Sequence, residues 1–173
     1  MDADAGGLFF DTNVIVYAYD ATAPAKQKRA RATIEAAMKA DRFVISTQVM
    51  QEFYNVAARR RLMSAQHAAQ LLRHLAEHTV VPANAESVLR ALSLQQRDTL
   101  SVWDALIVQA ALDAGCNVLY SEDLQEGRRF DAAGGAQPAL QVVNPFNEAW
   151  PEPSPAVHEP RASYRVAAKK RRA

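Results

Sequence analysis

The chain has 173 residues, 49% of them hydrophobic and 23% charged, with a net charge of +1 and one cysteine, Cys116. These values describe an ordinary globular chain that can bury a core unaided, and they exclude a disulfide scaffold and a cysteine-based zinc centre. No apolar run approaches the roughly 20 residues of a membrane span, and the acidic start Met1-Asp2-Ala3-Asp4 lacks a signal peptide's basic region, so a cytoplasmic protein is expected.

Strands and helices are predicted to alternate, the pattern of a parallel α/β sheet. Leu8–Asp11 reads as the first strand. Pro24 opens a helix to about Ala40 with Ala30, Ile34, Ala37 and Met38 inward. Phe43–Ser46 is a second strand, and Thr47 is placed as the cap of a helix to about Arg61. Ser64 caps another helix, to about His78. Thr79–Pro82 is a third strand and Ala85–Gln96 a helix. Ser101 caps a helix to about Ala114, which Gly115 ends. Asn117–Tyr120 and Gln141–Val143 complete the sheet. Strands as apolar as Phe43-Val44-Ile45 suit a sheet covered by helices on both faces. Residues 1–150 form the expected domain. Residues 151–173 carry four prolines and a net charge of +4, against −3 for the rest, and are expected to be a disordered basic tail.

Four carboxylates interrupt or close apolar segments: Asp11, Glu52, Asp104 and Asp123. Asp11 lies between Leu8-Phe9-Phe10 and Val14-Ile15-Val16. Glu52 shares the helical stripe of Val49, Phe53 and Val56, and Asp104 the face of Leu100, Ile107, Val108 and Ala111. Asp123 follows Val118-Leu119-Tyr120. Each has a bland reading. Glu52 can favour a helix N-terminus, Asp104 can belong to a cap with Ser101, and Asp11 and Asp123 can be turn formers. The sequence Ser121-Glu122-Asp123 leaves open which acid points inward. All four can nevertheless reach one edge of a parallel sheet, where ligands bind beyond the strands' carboxyl ends. Acids gathered there repel one another unless a cation joins them. Mg2+ and Mn2+ take such oxygen ligands and suit phosphodiester chemistry.

The ordered set resembles the PIN-domain nucleases and, within them, the VapC-type toxins of toxin–antitoxin pairs. Phe10-Asp11-Thr12-Asn13-Val14 is similar to the family's first acidic motif, and Gln51-Glu52-Phe53 to the second. Trp103-Asp104-Ala105-Leu106-Ile107 is similar to the third, and Leu119-Tyr120-Ser121-Glu122-Asp123-Leu124 to the fourth. The resemblance covers about residues 8–146. It implies a PIN-like three-layer α/β fold, a central parallel sheet of about four or five strands flanked by helices. It also implies metal-dependent endoribonuclease activity. Carried over by position, Asp11, Glu52 and Asp104 hold Mg2+ or Mn2+ and act in catalysis. Asp123 completes the site or holds a second ion, and Asn13 and Ser121 orient a carboxylate or a water. The partners implied are RNA, a small antitoxin and a second copy of the chain.

Other readings stay open. A housekeeping RNase of the same family carries the same motifs. A catalytically dead PIN-like binding module has the four intact acids against it. A phosphatase of the haloacid dehalogenase type also opens like Phe9-Phe10-Asp11, but it wants an aspartate where Asn13 stands. Arg59, Arg60 and Arg61 read either as cations at a helix C-terminus or as a phosphate-contacting patch. The first is preferred, because that end lies about two turns from Glu52. Lys169, Lys170, Arg171 and Arg172 of the tail are further candidates for nucleic-acid contact. Tyr17, Tyr19 and Trp103 could stack bases, with core packing the preferred reading.

Overall fold

The computed structural model describes residues 6–131 and 139–147. The expected tail, with Lys169, Lys170, Arg171 and Arg172, lies outside the described residues. The elements in chain order are β1 (Gly7–Phe10), α1 (Thr12–Tyr19), α2 (Pro24–Lys39), β2 (Phe43–Ser46), α3 (Thr47–Arg59) and α4 (Ala65–Leu75). They continue with β3 (Thr79–Val81), α5 (Ala85–Asp98), α6 (Val102–Asp113), β4 (Cys116–Tyr120), β5 (Arg129–Phe130) and β6 (Leu140–Val143). The sheet order is β3-β2-β1-β4-β6-β5. Every pair is parallel except β5 with β6. The expected α/β fold, a central mostly parallel sheet flanked by helices, is the one observed.

Burial explains the layers. All four residues of β2 are buried, as a strand covered on both faces requires. Helices α2, α3 and α6 all pack against β2. Phe9, Phe10, Phe43, Ile45 and Leu119 are fully buried side chains of the sheet, and Phe53 of α3 is fully buried among the core residues. Phe10 stacks on Phe43 and tilts against Tyr120, joining the three central strands. Gly7 permits a close approach of its neighbours: a Cβ there would lie 2.9 Å from Cys116 Sγ and 3.0 Å from Val44 Cγ2. Burial pushes the Cys116 thiol up to about 12, so it stays a neutral core group. Among the described residues, no helix is long and apolar enough to cross a membrane.

Three local expectations are corrected. The segment Thr12–Tyr19, to which the residue pattern assigns no element, is a helix. Asp11 caps it by accepting a 2.6 Å hydrogen bond from the Thr12 amide. Thr47 is the first residue of α3 and not its cap. Ser46 is the cap, and its Oγ accepts from the Val49 amide at 3.3 Å. The sheet has a sixth strand, β5, whose two residues are too short for a hydrophobic pattern. Ser64 and Ser101 cap α4 and α6 as expected, and Gly115 follows α6 with φ of 65°.

Candidate acidic site at the sheet switch point

The order β3-β2-β1-β4 reverses direction at β1, so a crevice opens beyond the carboxyl ends of β1 and β4. Register then places the residues. Phe10 pairs with Tyr120, which sets Asp11 beside Ser121, and the Asp11 amide donates to the Tyr120 carbonyl at 3.0 Å. Helix α3 starts where β2 ends and brings Glu52 on its second turn. Helix α6 brings Asp104 in its first turn. A cavity of about 510 Å³ is lined by all four carboxylates, Asp11, Glu52, Asp104 and Asp123, and also by Asn13, Gln48, Arg59, Arg60, Trp103 and Glu122.

The acids are held in different ways. Asp11 is buried at 9% exposure. Its Oδ1 accepts from the Thr12 amide, and its Oδ2 accepts from Ser121 Oγ at 2.7 Å and Asn13 Nδ2 at 3.0 Å. Burial raises its pKa to about 6; the Ser121 and Thr12 hydrogen bonds oppose the rise, and the charges of Asp123 and Glu52 add to it. Glu52 is half-buried and accepts from Thr12 Oγ1 at 2.6 Å and Gln48 Nε2 at 2.8 Å. Asp104 Oδ2 accepts from Ser101 Oγ at 2.8 Å, while the same Oγ caps the helix by accepting from the Asp104 amide. Asp123 is exposed and accepts from Asn13 Nδ2 at 3.0 Å.

Asn13 therefore links Asp11, Ser121 and Asp123 through one amide nitrogen. Its Oδ1 accepts from the Glu122 amide at 3.4 Å, which fixes that orientation. Glu122, the acid left undecided against Asp123, is paired with Lys26 on α2. Lys26 also donates to Tyr17 OH at 3.1 Å, and its bond to Glu122 raises its pKa. Asp123 is thus the acid of that pair left to the Asn13 network.

Among the described residues, no three His, Cys, Asp or Glu side chains already form a metal-ligating group. The donor chemistry still fits a hard divalent cation, since the groups that converge are carboxylates and neutral oxygens, with no sulfur or imidazole in the lining. The electropositive group between Asp11 and Asp123 is the Asn13 amide.

Two expectations are revised. Arg59 and Arg60, set aside for their distance along the helix, line the same cavity as Glu52. Trp103, expected in the core, is 67% exposed. Sequence reasoning missed Thr12 and Gln48, the two groups that hold Glu52. Gln48 had a signal, since it stands four residues before Glu52 on one helix face. Lys26 had none, because its partner is 96 residues away.

Fold and site define a parallel α/β protein with an acidic, oxygen-lined cavity at the sheet's switch point. The PIN domain family matches residues 8–134, and the chain belongs to that family. Two solved structures share the fold. A toxin–antitoxin complex from Klebsiella pneumoniae is 19% identical with a TM-score of 0.56, the match covering 80% of this chain and 98% of that one. Mycobacterium tuberculosis VapC20, a toxin that cleaves the sarcin–ricin loop, is 20% identical with a TM-score of 0.50, covering 76% of this chain and 100% of that one. No curated protein sequence matches the chain.

Proposed function

We propose that the chain is an endoribonuclease dependent on Mg2+ or Mn2+ and the toxin of a toxin–antitoxin pair. The observation that carries this reading is the convergence of acids from four separate points of the chain on one cavity that two arginines also line. Asp11, Glu52, Asp104 and Asp123 are the residues that would hold the cation. A divalent ion there supplies Lewis acidity and charge neutralisation toward a phosphodiester. The chain's own groups prepare the site. Ser121 and Asn13 fix the Asp11 carboxylate, and Thr12 and Gln48 fix that of Glu52. Membership of the PIN family and the likeness to a toxin that cleaves the sarcin–ricin loop support the reading. So does the likeness to a protein solved in a toxin–antitoxin complex, which favours a small antitoxin as partner. Apolar Val88, Leu89 and Leu92, left exposed on α5, favour a homodimer through the helical side. The test is cleavage of single-stranded RNA by the purified chain with Mg2+ or Mn2+. Cleavage equal in EDTA sinks the reading.

Arg59 and Arg60 bind phosphates in this reading. Arg59→Ala with Arg60→Ala should weaken RNA binding at low salt and flatten the dependence of log K on log salt. The slope should fall by about 0.7 for each single-strand phosphate that is no longer neutralised. A titration at several salt concentrations measures it, and an unchanged slope returns the pair to helix-end cations. Deleting residues 151–173, with their net charge of +4, should flatten the slope in the same way while leaving the cleavage site unmoved. If the deletion leaves the slope as it was, the basic segment does not touch RNA.

A further inference from the structure

We propose that Trp103 is a stacking platform for one unpaired base of the RNA, next to the bond to be cut, and that the strand runs from there along α3 to Arg59 and Arg60. The inference rests on the proposed nuclease reading and gives its substrate a form: single-stranded, with an accessible base. Its starting point is the exposure of Trp103, 67% in a helix that buries Ala105, Ile107, Val108, Ala111 and Leu112. An indole left open to water has no packing reason to be there. Among the described large apolar side chains that are exposed, Trp103 alone lines the acidic cavity. A protein-docking face calls for a contiguous apolar patch. Here the lining mixes carboxylates and guanidiniums with separate apolar groups, Val16, Tyr17, Val56 and Ile107, which suits a strand that alternates flat bases with phosphates.

The platform is also tied to the acids. Trp103 precedes Asp104 directly. Gln48 Nε2 donates to the Trp103 carbonyl at 3.4 Å while it holds Glu52 Oε1 at 2.8 Å. The base-stacking group and the carboxylates therefore share one positioning residue. Along α3 the order is Gln48, then Glu52 about 6 Å on, then Arg60 at about 18 Å. The base sits at one end, the cut near the acids, and further phosphates at the arginines. An aromatic face accepts any base, so this platform selects for single strands and not for sequence.

The chain has two tryptophans, Trp103 and Trp150, so Trp150→Phe leaves one reporter. The probes are ten-nucleotide oligoadenylate and oligouridylate and a blunt duplex of the two, added in EDTA to prevent cleavage. Saturable quenching of Trp103 by the single strands and little by the duplex is expected. Trp103→Ala, at an unchanged Tm, should weaken single-strand binding about 5- to 100-fold, and Trp103→Phe should restore most of it. An oligonucleotide with abasic positions should bind wild type more weakly and the Trp103→Ala variant no more weakly still. No quenching, or equal affinity in Trp103→Ala, overturns the proposal. A concentration-dependent blue shift without RNA, with no quenching on RNA addition, overturns it in favour of a second copy covering the ring. Failure of the nuclease reading is separate: quenching and the weaker binding of Trp103→Ala would persist while no divalent cation brought cleavage.

Discussion

Replacing Asp104 by Asn is expected to abolish RNA cleavage and leave the fold standing. The local hydrogen bonds separate these two effects. Helix α6 is capped by Ser101, whose Oγ accepts from the Asp104 amide at 3.1 Å, a bond made to the backbone and kept in the variant. The carboxylate receives the Ser101 hydroxyl on Oδ2 alone, and an asparagine oxygen also accepts that bond, more weakly. What the variant loses is one negative oxygen of the proposed cation-binding set. Loss of Lewis-acid assistance worth several kcal/mol corresponds to a rate lower by about 10³ or more. Ser101→Ala is the opposite control: it removes the cap, costs about 1 kcal/mol of stability and, because the Asp104 carboxylate stays although Ser101 Oγ no longer holds it, lowers cleavage far less than Asp104→Asn does. Rates under saturating Mn2+ and thermal melts of the three proteins measure both axes. An Asp104→Asn protein that unfolds, beside a Ser101→Ala protein that does not, would return Asp104 to a purely structural role.

How far the sequence carries is clearest residue by residue. Asp11, Glu52 and Asp104 are legible because each charge interrupts an apolar segment, and burial of such a charge needs a reason. Parallel strands are legible from apolar runs bounded by caps and turns. Helix α1 is not, because Thr12-Asn13-Val14-Ile15-Val16 is rich in β-branched residues and buried nearly all round, so it has no polar face to set a helical period. Its cap, Asp11, doubles as a site residue, which hides the capping signal. Trp103 misleads because Ala105-Leu106-Ile107 after it imply a core helix. Only tertiary structure brings out that Val102 and Trp103, which open α6, face solvent while Ala105 is buried. Arg59 and Arg60 look remote by axial distance alone: about two turns separate them from Glu52, yet the cavity extends that far along α3.

The metal-free protein should gain stability as pH falls from about 7.5 toward 5, and Asp11→Asn should remove that gain. Burial is the first cause of the raised Asp11 pKa, about 6 against 3.8 for an unperturbed aspartate. Below 3.8 both folded and unfolded chains carry the proton. Between 3.8 and about 6 the folded chain keeps a proton that the unfolded chain has released, so stability falls as pH rises. Above that range both forms are ionised and the fold bears a buried charge. The full contribution is about 3 kcal/mol, of which about 1.4 kcal/mol lies between pH 7.5 and 5. The Asn variant has no such slope, but it is not simply more stable. Asp11 uses one oxygen for the Thr12 amide and the other for Ser121 and Asn13, so an amide nitrogen must face a donor. That conflict costs about 1–3 kcal/mol at every pH and offsets much of the relief. Urea unfolding in EDTA at the two pH values, read as wild type minus variant, isolates the Asp11 share from the other carboxylates. Added Mn2+ should then stabilise wild type more at pH 7.5 than at pH 5, because the proton and the cation compete for the same oxygens. Equal pH slopes in wild type and Asp11→Asn would mean that Asp11 is ionised in the fold throughout, with its hydrogen bonds outweighing burial.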